Sequence, residues 1–456
     1  MGHLHRIARA TAVTQSESGR PWRLAIAWLL LLGPFFFLTY NFANSLAAQQ
    51  PHVPAIAFGW ESAIPFWGWT IVPYWSIDLF YAASLFVCTS RRELNTHGLR
   101  LITAQVLAVA TFIAFPLRFS FDRPIGDDWS GELFRLLAIF DKPFNQAPSL
   151  HIALLVILWV LYARHTYGWW RWALHGWFAL IGISVLTTYQ HHFFDVPTGL
   201  LLGWLCIWLW PDNGRSPLSH LRLSDDKRRQ AVALRYSLAS AALAIVAVWL
   251  KGVALWLLWP ALSLALVAAA YLALDVAAFQ KSADGRHSLA ARWLFAPYTW
   301  AARLNARLWT GRQAPCCEIA PNVWLGRLPR RGEVFEQGFV AVVDLSAELT
   351  LPLDRWPRLS LFSHPVLDLT APRPALLASA AASIERARQQ GPVLVCCALG
   401  YSRSALATAA WLLRYGHASD PERALAIIRA RRPQIVVGEE QAAQLAACLQ
   451  IAPSPA

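Results

Sequence analysis

The sequence predicts a multi-domain membrane protein: an all-α transmembrane bundle of six helices plus two further spans, followed by a cytoplasmic α/β domain. Three observations carry that expectation. Of the 456 residues 56% are hydrophobic, 24 are Trp and only 15% are charged, against roughly 25% charged in soluble domains. Eight long apolar stretches follow one another, with Arg and Lys gathered in alternate loops between them. Beyond residue 315 the pattern changes to short β runs alternating with Ala/Arg/Leu helical segments, which argues a central sheet with helices packed on it.

Taken in order, residues 1–23 are polar and basic. The uncharged run 24–40 is longer than a signal-peptide core requires and reads as an uncleaved first helix. Further spans fall at 71–90, 101–117, 149–163, 172–189, 193–210, 231–250 and 253–279. The domains are therefore a basic N-terminus (1–23), a membrane domain (24–211), a cytoplasmic loop (212–230), two additional spans (231–280), a basic linker (281–314) and an α/β domain (315–452). Arg91, Arg92 and Arg100, then Arg164 and Arg171, then Arg215, Arg222, Lys227, Arg228 and Arg229 lie in alternate loops. That bias puts both termini in the cytoplasm and turns loops 41–70, 118–148 and 190–192 outward.

The net charge of +13 is mostly Arg between apolar segments. It suits anionic lipid headgroups, and no basic-aromatic nucleic-acid motif accompanies it, so membrane lipids are the expected partner and nucleic acid is excluded. Residues 289–309 interleave Arg with Trp, Leu and Phe, the pattern of a helix lying in the inner interface, divided at Pro297. The seven cysteines fall in spans or in the last third, as in a reducing compartment. The Cys316-Cys317 pair lacks companion ligands at zinc spacing and reads as structural; no metal or cofactor is expected.

The most informative stretch is residues 393–404, Val-Leu-Val-Cys-Cys-Ala-Leu-Gly-Tyr-Ser-Arg-Ser. A β run delivers Cys397 onto a loop containing Gly400, and a helical pattern begins near Ser404. Such a loop turns backbone N–H groups and a helix N-terminus toward one point, an anion nest that favours a thiolate. Arg403 supplies a planar fork for phosphate oxygens. The spacing Cys-x5-Arg-Ser resembles the protein tyrosine/dual-specificity phosphatase family, over about residues 316–450, with Asn322–Pro329 and Arg432-Pro433-Gln434 as framework. The resemblance implies Cys397 as nucleophile, Arg403 as phosphate clamp, Gly400 in the phosphate-binding loop, Ser404 as the group that helps expel the thiolate, and Asp368 as general acid. Asp344 and Asp354 are weaker acid candidates, Asp344 reading as structural. The family usually has His before the nucleophile; here Cys396 stands there.

A second constellation lies in the membrane half. Asp122-Arg123-Pro124, Pro148-Ser149-Leu150-His151 and His191-His192-Phe193-Phe194-Asp195 all sit where outward loops meet spans, and ionisable groups at a span's edge usually mark function. On a helix His191 and Asp195 would share a face, the carboxylate orienting the imidazole. The set suits phosphoryl transfer from a His nucleophile. It resembles the type-2 phosphatidic acid phosphatase superfamily over roughly residues 20–211. That implies His191 as nucleophile, Asp195 as its orienter, His151 as general acid, and Arg123 and Ser149 as phosphate ligands. Pro116 stands where the superfamily has a basic residue (Arg118 is close), Ser184-Val185 lacks its arginine, and Leu150 replaces its glycine. The pattern is similar to the branch holding inositol phosphorylceramide and sphingomyelin synthases. Asp78, inside the second span, either bonds neighbouring helices or lines a headgroup cavity, and Gln190 and His192 adjoin the site.

The sequence thus predicts a bifunctional inner-membrane phosphatase of a bacterium, acting on phosphorylated lipid headgroups through an outward His site and a cytoplasmic Cys site. Two alternatives stand beside it: a membrane lipid phosphotransferase in the first half, or phosphoprotein signalling by the Cys domain with the membrane half as anchor.

Overall fold

The structure, a computed structural model, describes residues 19–214, 216–330, 333, 336–352 and 359–451. The chain divides into two compact units, Met1–Ser216 and Pro217–Ala456.

The first unit is helical: α1 (Trp22–Ala48), α2 (Ile71–Val87), α3 (Arg91–Ala114), α4 (Trp129–Phe140), α5 (Leu150–His165), α6 (Trp169–Thr187) and α7 (Asp195–Leu209). Polar caps set the starts of α3, α4 and α5. Ser90 accepts from the Glu93 N–H at 3.2 Å while Glu93 reaches back to the Thr89 N–H at 2.8 Å, satisfying orphan donors at both ends of the first turn. Residues 118–148, read from sequence as a loop, carry α4, whose Asp128 accepts from the Gly131 N–H at 3.0 Å. The helices α5 and α7 pack unusually closely. A Cβ on Gly199 would lie 2.5 Å from the Ser149 carbonyl oxygen, and one on Gly203 2.8 Å from that of Ala153. Those two glycines let α7 rest on α5 and bring Asp195 to the start of α5.

In the second unit α8 (Lys227–Leu250) is capped by Asp226, which accepts from the Arg228 N–H at 2.7 Å. A turn at Lys251, φ 54°, leads through one tight 3-10 segment to α9 (Leu258–Ala269), which continues as a wider π turn, Ala270–Leu274, and a 3-10 turn, Asp275–Phe279. Then come α10 (Leu289–Leu294) and α11 (Ala296–Thr310). The break falls at Phe295, and Pro297 stands in the first turn of α11, where its missing N–H costs nothing. Trp293, Trp300, Leu304, Leu308 and Trp309 are exposed on these two helices.

Among the described residues, five helices are long and apolar enough to cross a membrane: Trp22–Ala48, Gly68–Val87, Arg91–Ala114, Lys227–Leu250 and Gly252–Phe279. Against the eight spans expected, α5 and α7 are apolar but shorter, and α6 is not among the five.

The rest is a five-stranded sheet with helices on it: β1 (Cys316–Ala320), β2 (Val323–Arg327), β3 (Ala341–Ser346), β4 (Ser360–Val366), α12 (Pro374–Arg388), β5 (Val393–Cys397), α13 (Arg403–Arg414), α14 (Pro421–Arg431) and α15 (Glu439–Cys448). The strand order is β1-β2-β5-β3-β4, with β1 antiparallel to β2 and the other pairs parallel. The central strands β3 and β5 are buried throughout, as the near-continuous apolar runs of a covered parallel sheet require. The edge strand β4, Ser-Leu-Phe-Ser-His-Pro-Val, is half-buried; its mixed composition left only Val366 legible as β. The strand β1, carrying Cys316 and Cys317, was missed for the same reason. Successive side chains alternate, so Cys397 joins the core beneath α12 and α13, and Cys396 joins a smaller cluster on the opposite face with Val342, Leu349 and Leu394.

Candidate active sites

The parallel sheet ends β5 at Cys397, and α13 begins at Arg403, so residues 398–402 make the whole connection. Its backbone must fold back on β2. Gly400 has φ +73°, and a Cβ there would lie 2.4 Å from the Gly326 carbonyl carbon, so only glycine fits. The Gly400 N–H donates to Cys397 Sγ at 3.3 Å, and Ser404 Oγ stands 3.2 Å from the same sulfur. Arg432, 3% exposed, braces the loop from behind: Nε donates to the Gly400 carbonyl at 2.9 Å and Nη2 to that of Leu399 at 3.4 Å. Holding carbonyls outward turns amides inward, the geometry of an anion nest.

Arg403 is 2% exposed and fully committed on one edge. Nη1 donates to Glu348 Oε2 and to the Val366 carbonyl, both at 2.8 Å; Nη2 donates to Glu348 Oε1 at 2.7 Å and lies 3.1 Å from Asp368 Oδ1. Nε is buried with no hydrogen-bond partner among the described residues, a donor suited to a phosphate oxygen. Burial alone would raise the Glu348 carboxyl; the Arg403 charge overrides it and holds the group below the usual range. Burial likewise opposes the charge on Arg403, and Asp368 with Glu348 drives its pKa well up. Glu348 was not singled out in the sequence: it follows β3 by two residues and only the fold aims it at Arg403.

Asp368 sits on the turn after β4, its side chain 40% exposed beside a guanidinium otherwise sealed. Its backbone carbonyl accepts from the Tyr271 hydroxyl at 2.9 Å. Asp354 lies outside the described residues. Asp344 is structural: its carboxylate is buried and accepts from Lys281 Nζ at 2.6 Å, and that ammonium also donates to the carbonyls of Ser346 (2.5 Å) and Leu349 (2.8 Å). In the β3–β5 register Asp344 stands directly across from Cys396. Where the resembled family has an imidazole, this chain has a thiol driven up by burial, and the cation beside it comes from Lys281, beyond the sequence motif altogether.

In the first unit the three polar motifs meet. Arg123 Nε donates to the Tyr189 carbonyl at 2.8 Å and Nη2 to Gln190 Oε1 at 2.9 Å. The Ser149 N–H donates to the Asp195 carbonyl at 3.1 Å. Ser149 Oγ accepts from the Ile152 N–H at 3.3 Å as the cap of α5, which leaves its proton free to donate. His191 Nδ1 lies 3.2 Å from Asp195 Oδ2. The two do not share a helix: His191 is in the turn before α7 and Asp195 is the first residue of that helix, so the turn, not helical spacing, brings them together. The same carboxylate accepts from the His192 N–H at 3.0 Å. His151 stacks on Tyr74 with centroids 4.3 Å apart, and its Nε2 is buried without a hydrogen-bond partner among the described residues. Asp78 lies on an exposed side of α2.

Two carboxylates here had no sequence signal. Glu61 accepts from His192 Nδ1 at 2.8 Å and from the N–H groups of Phe193 (3.0 Å) and Phe58 (2.7 Å). Burial opposes its charge, yet these donors hold its carboxyl below the usual range. His192 Nε2 accepts from the Ser120 N–H at 3.1 Å, which fixes the proton on Nδ1 and occupies both nitrogens; His191 is left as the imidazole with a ring edge to offer. Asp141 accepts from the Tyr40 hydroxyl at 2.9 Å. Burial pushes its carboxyl up, against the pull of Tyr40, His191 and Arg123.

Residues 332–450 match the family model for the dual specificity phosphatase catalytic domain. The C-terminal part of the chain is therefore an α/β catalytic domain of the dual-specificity phosphatase type, which supports phosphoric monoester hydrolysis. Solved structures similar to it include Tk-PTP in the active form (31% identity, 30% of this chain and 97% of that one, TM-score 0.28). Human DUSP28 is also similar (27% identity, 30% and 94%, TM-score 0.26), as is PTPMT1 in complex with PI(5)P (23% identity, 30% and 96%, TM-score 0.28). No curated protein matches the chain.

Proposed function

We propose that the protein is a bifunctional membrane phosphatase acting on lipid phosphates, with Cys397 and His191 as the nucleophiles of two separate sites. The observation that carries the chemistry is the Cys397 loop: a sulfur met by Gly400 N–H and Ser404 Oγ, beside a buried guanidinium whose Nε has no partner. In this reading the Cys397 thiolate attacks phosphorus as the ester P–O bond breaks, and Asp368 gives its proton to the leaving alkoxide. Water then cleaves the S–P bond, Asp368 takes the proton, and the Ser404 hydroxyl donates to the departing thiolate. Arg403 and the loop amides balance charge on the phosphoryl oxygens.

At the other site His191 attacks through Nε2 while Asp195 holds Nδ1, His151 protonates the leaving oxygen, and Arg123 and Ser149 bind phosphate. Two Arg123 donors are already engaged by Tyr189 and Gln190, which leaves fewer donors for a dianionic monoester. That supports, as a second reading of this half, transfer of a headgroup phosphate between lipids. Lipid as substrate class is supported by the apolar helices and by the Trp/Leu/Arg surface of α10 and α11. In this reading the membrane is a bacterial inner membrane, and the Arg/Lys bias supports placing the His site outside, the Cys site in the cytoplasm and both termini inside; labelling a cysteine placed at 125–130 from outside tests that sidedness, and protection there would sink it.

Purified full-length protein, wild type, Cys397→Ser, His191→Ala and the double variant, assayed with phosphatidic acid and a phosphotyrosine peptide, tests the reading. Each single variant is expected to lose part of the lipid phosphate release and the double variant all of it. Release persisting in the double variant refutes the two-site lipid enzyme; peptide turnover far above lipid turnover, lost only with Cys397→Ser, makes the protein a signalling phosphatase.

A further inference from the structure

The cavity at the Cys397 loop is not walled by the catalytic domain alone. Its volume is about 370 Å³, with Glu348, Asp368 and Leu399 on one side and Tyr236, Leu264 and Tyr298 on the other; sites for small molecules run from roughly 300 to 1,000 Å³. Tyr236 belongs to α8 and Leu264 to α9, within the two helical stretches of this unit long enough and apolar enough to cross a membrane. Tyr236 stands two and a half turns into α8, about 14 Å along its axis. Ser240 Oγ donates to the Ala261 carbonyl at 2.7 Å, so the two helices are level here. Lys227, Arg228, Arg229 and Arg235 gather at this same end of α8, where anionic headgroups are met.

The wall is chemically one-sided. Glu348 and Asp368 are the only charged residues lining the cavity among those described, and both carboxylates turn to Arg403. Everything the helices contribute is apolar, aromatic or, at Asn305, a neutral amide. The tyrosines form one group, the Tyr236 ring lying 5.8 Å from those of both Tyr271 and Tyr298. Tyr271 in turn holds the backbone of the acid-bearing turn through its bond to the Asp368 carbonyl.

We propose that the α8–α9 pair is a substrate-binding part of the Cys397 site. It receives the apolar, membrane-held alcohol portion of a lipid phosphomonoester, laid against Tyr236, Leu264 and Tyr298 while the phosphate enters the 397–403 loop. The catalytic site then discriminates by the carbon skeleton attached to phosphate as well as by phosphate itself. This rests on the lipid-phosphate reading of the Cys site.

The test uses the full-length protein in phosphatidylcholine nanodiscs, on a His191→Ala background that silences the other site. kcat/KM is measured for dioleoyl phosphatidic acid, for water-soluble para-nitrophenyl phosphate and for a phosphotyrosine peptide. Leu264→Trp, which fills the cavity, is expected to lower the lipid-to-aryl ratio about tenfold or more, the scale on which apolar pockets discriminate. Leu238→Trp, at an exposed position of α8 outside the cavity, is the control and keeps the ratio. An unchanged ratio in Leu264→Trp, an equal fall in the control, or an equal loss of peptide turnover overturns the proposal. Should the tryptophan variant fail to fold, Leu264→Ala removes volume without adding any; a ratio at least about threefold lower supports the wall, and an unchanged one overturns it. Phosphatidic acid hydrolysis that survives Cys397→Ser on this background refutes the parent reading instead, whatever the ratios.

Discussion

The two candidate phosphate sites of this chain are built in opposite ways. At Cys397 the candidate nucleophile, the anion nest and the guanidinium come from seven consecutive residues, from the end of one strand to the start of one helix, and the fold adds Glu348, Asp368 and Arg432 around them. At His191 no stretch is sufficient: Arg123, Ser149, His151, His191 and Asp195 come from three segments, and Glu61, Asp141 and Tyr74 from others. A local site depends on backbone geometry and tolerates changes elsewhere. An assembled one depends on how closely helices pack.

That contrast is broken most directly at the nucleophile. Cys397→Ser is expected to reduce aryl phosphate turnover by roughly 10³-fold or more. Residual turnover well above that level, lost only when His191→Ala is added, would put both sites on one soluble substrate and erase the distinction between them.

The supposed self-sufficiency of the Cys site is tested at Lys281. Lys281→Met leaves the Asp344 carboxylate buried and uncompensated, which costs about 3–5 kcal/mol, whereas Lys281→Arg keeps the charge and costs less. The measurement is the urea concentration at which Cys397 becomes accessible to a thiol reagent; no shift for Lys281→Met would mean the sheet carries Asp344 without its partner.

The assembled site has its own weak point in the α5–α7 contact. Gly199→Val drives a side chain toward the Ser149 carbonyl oxygen, 2.5 Å from an ideal Cβ, an overpacking of about 1–3 kcal/mol. On a Cys397→Ser background it is expected to lower lipid phosphate release several-fold or more, while on a wild-type background para-nitrophenyl phosphate turnover is retained. Equal loss of both activities would show that the contact supports the whole chain.

A last effect is on pH dependence. His287 Nε2 lies 2.8 Å from the Ala347 carbonyl, and burial pulls its pKa down to about 4 from an ordinary 6.5. The unfolded chain binds the proton first as pH falls, so this stability is present above pH 6.5 and is lost progressively toward pH 4. His287→Gln is expected to flatten that part of the curve of thermal midpoint against pH; an unchanged slope would assign the loss to other groups.

Much of the catalytic domain was legible because its signals are short-range. The apolar runs of β3 and β5, the Cys-x5-Arg spacing and the helical pattern after Ser404 all lie within a few residues of what they determine. The strands β1 and β4 were not: Cys-Cys-Glu-Ile-Ala and Ser-Leu-Phe-Ser-His-Pro-Val carry no clear alternation, and an edge strand with one partner does not need it. Helix α4 was hidden in a stretch read as a loop. The shared-face argument put the His191 and Asp195 side chains together, and they do meet, but through a turn rather than along one helix.

By itself, then, the sequence determined the apolar helices, the strand–loop–helix that presents Cys397, and the residues at which polar groups interrupt apolar runs, all properties of neighbours along the chain. Only the tertiary structure decided that Glu348 clamps Arg403, that Lys281 pairs with Asp344 across from Cys396, that Glu61 occupies His192, and that Tyr236 and Leu264 line the cavity beside Ala398 and Leu399. Each of those pairings joins residues tens of positions apart or more. A buried charge or an apolar wall acquires its partner only when packing removes both from water, and no local spacing records which partner that will be.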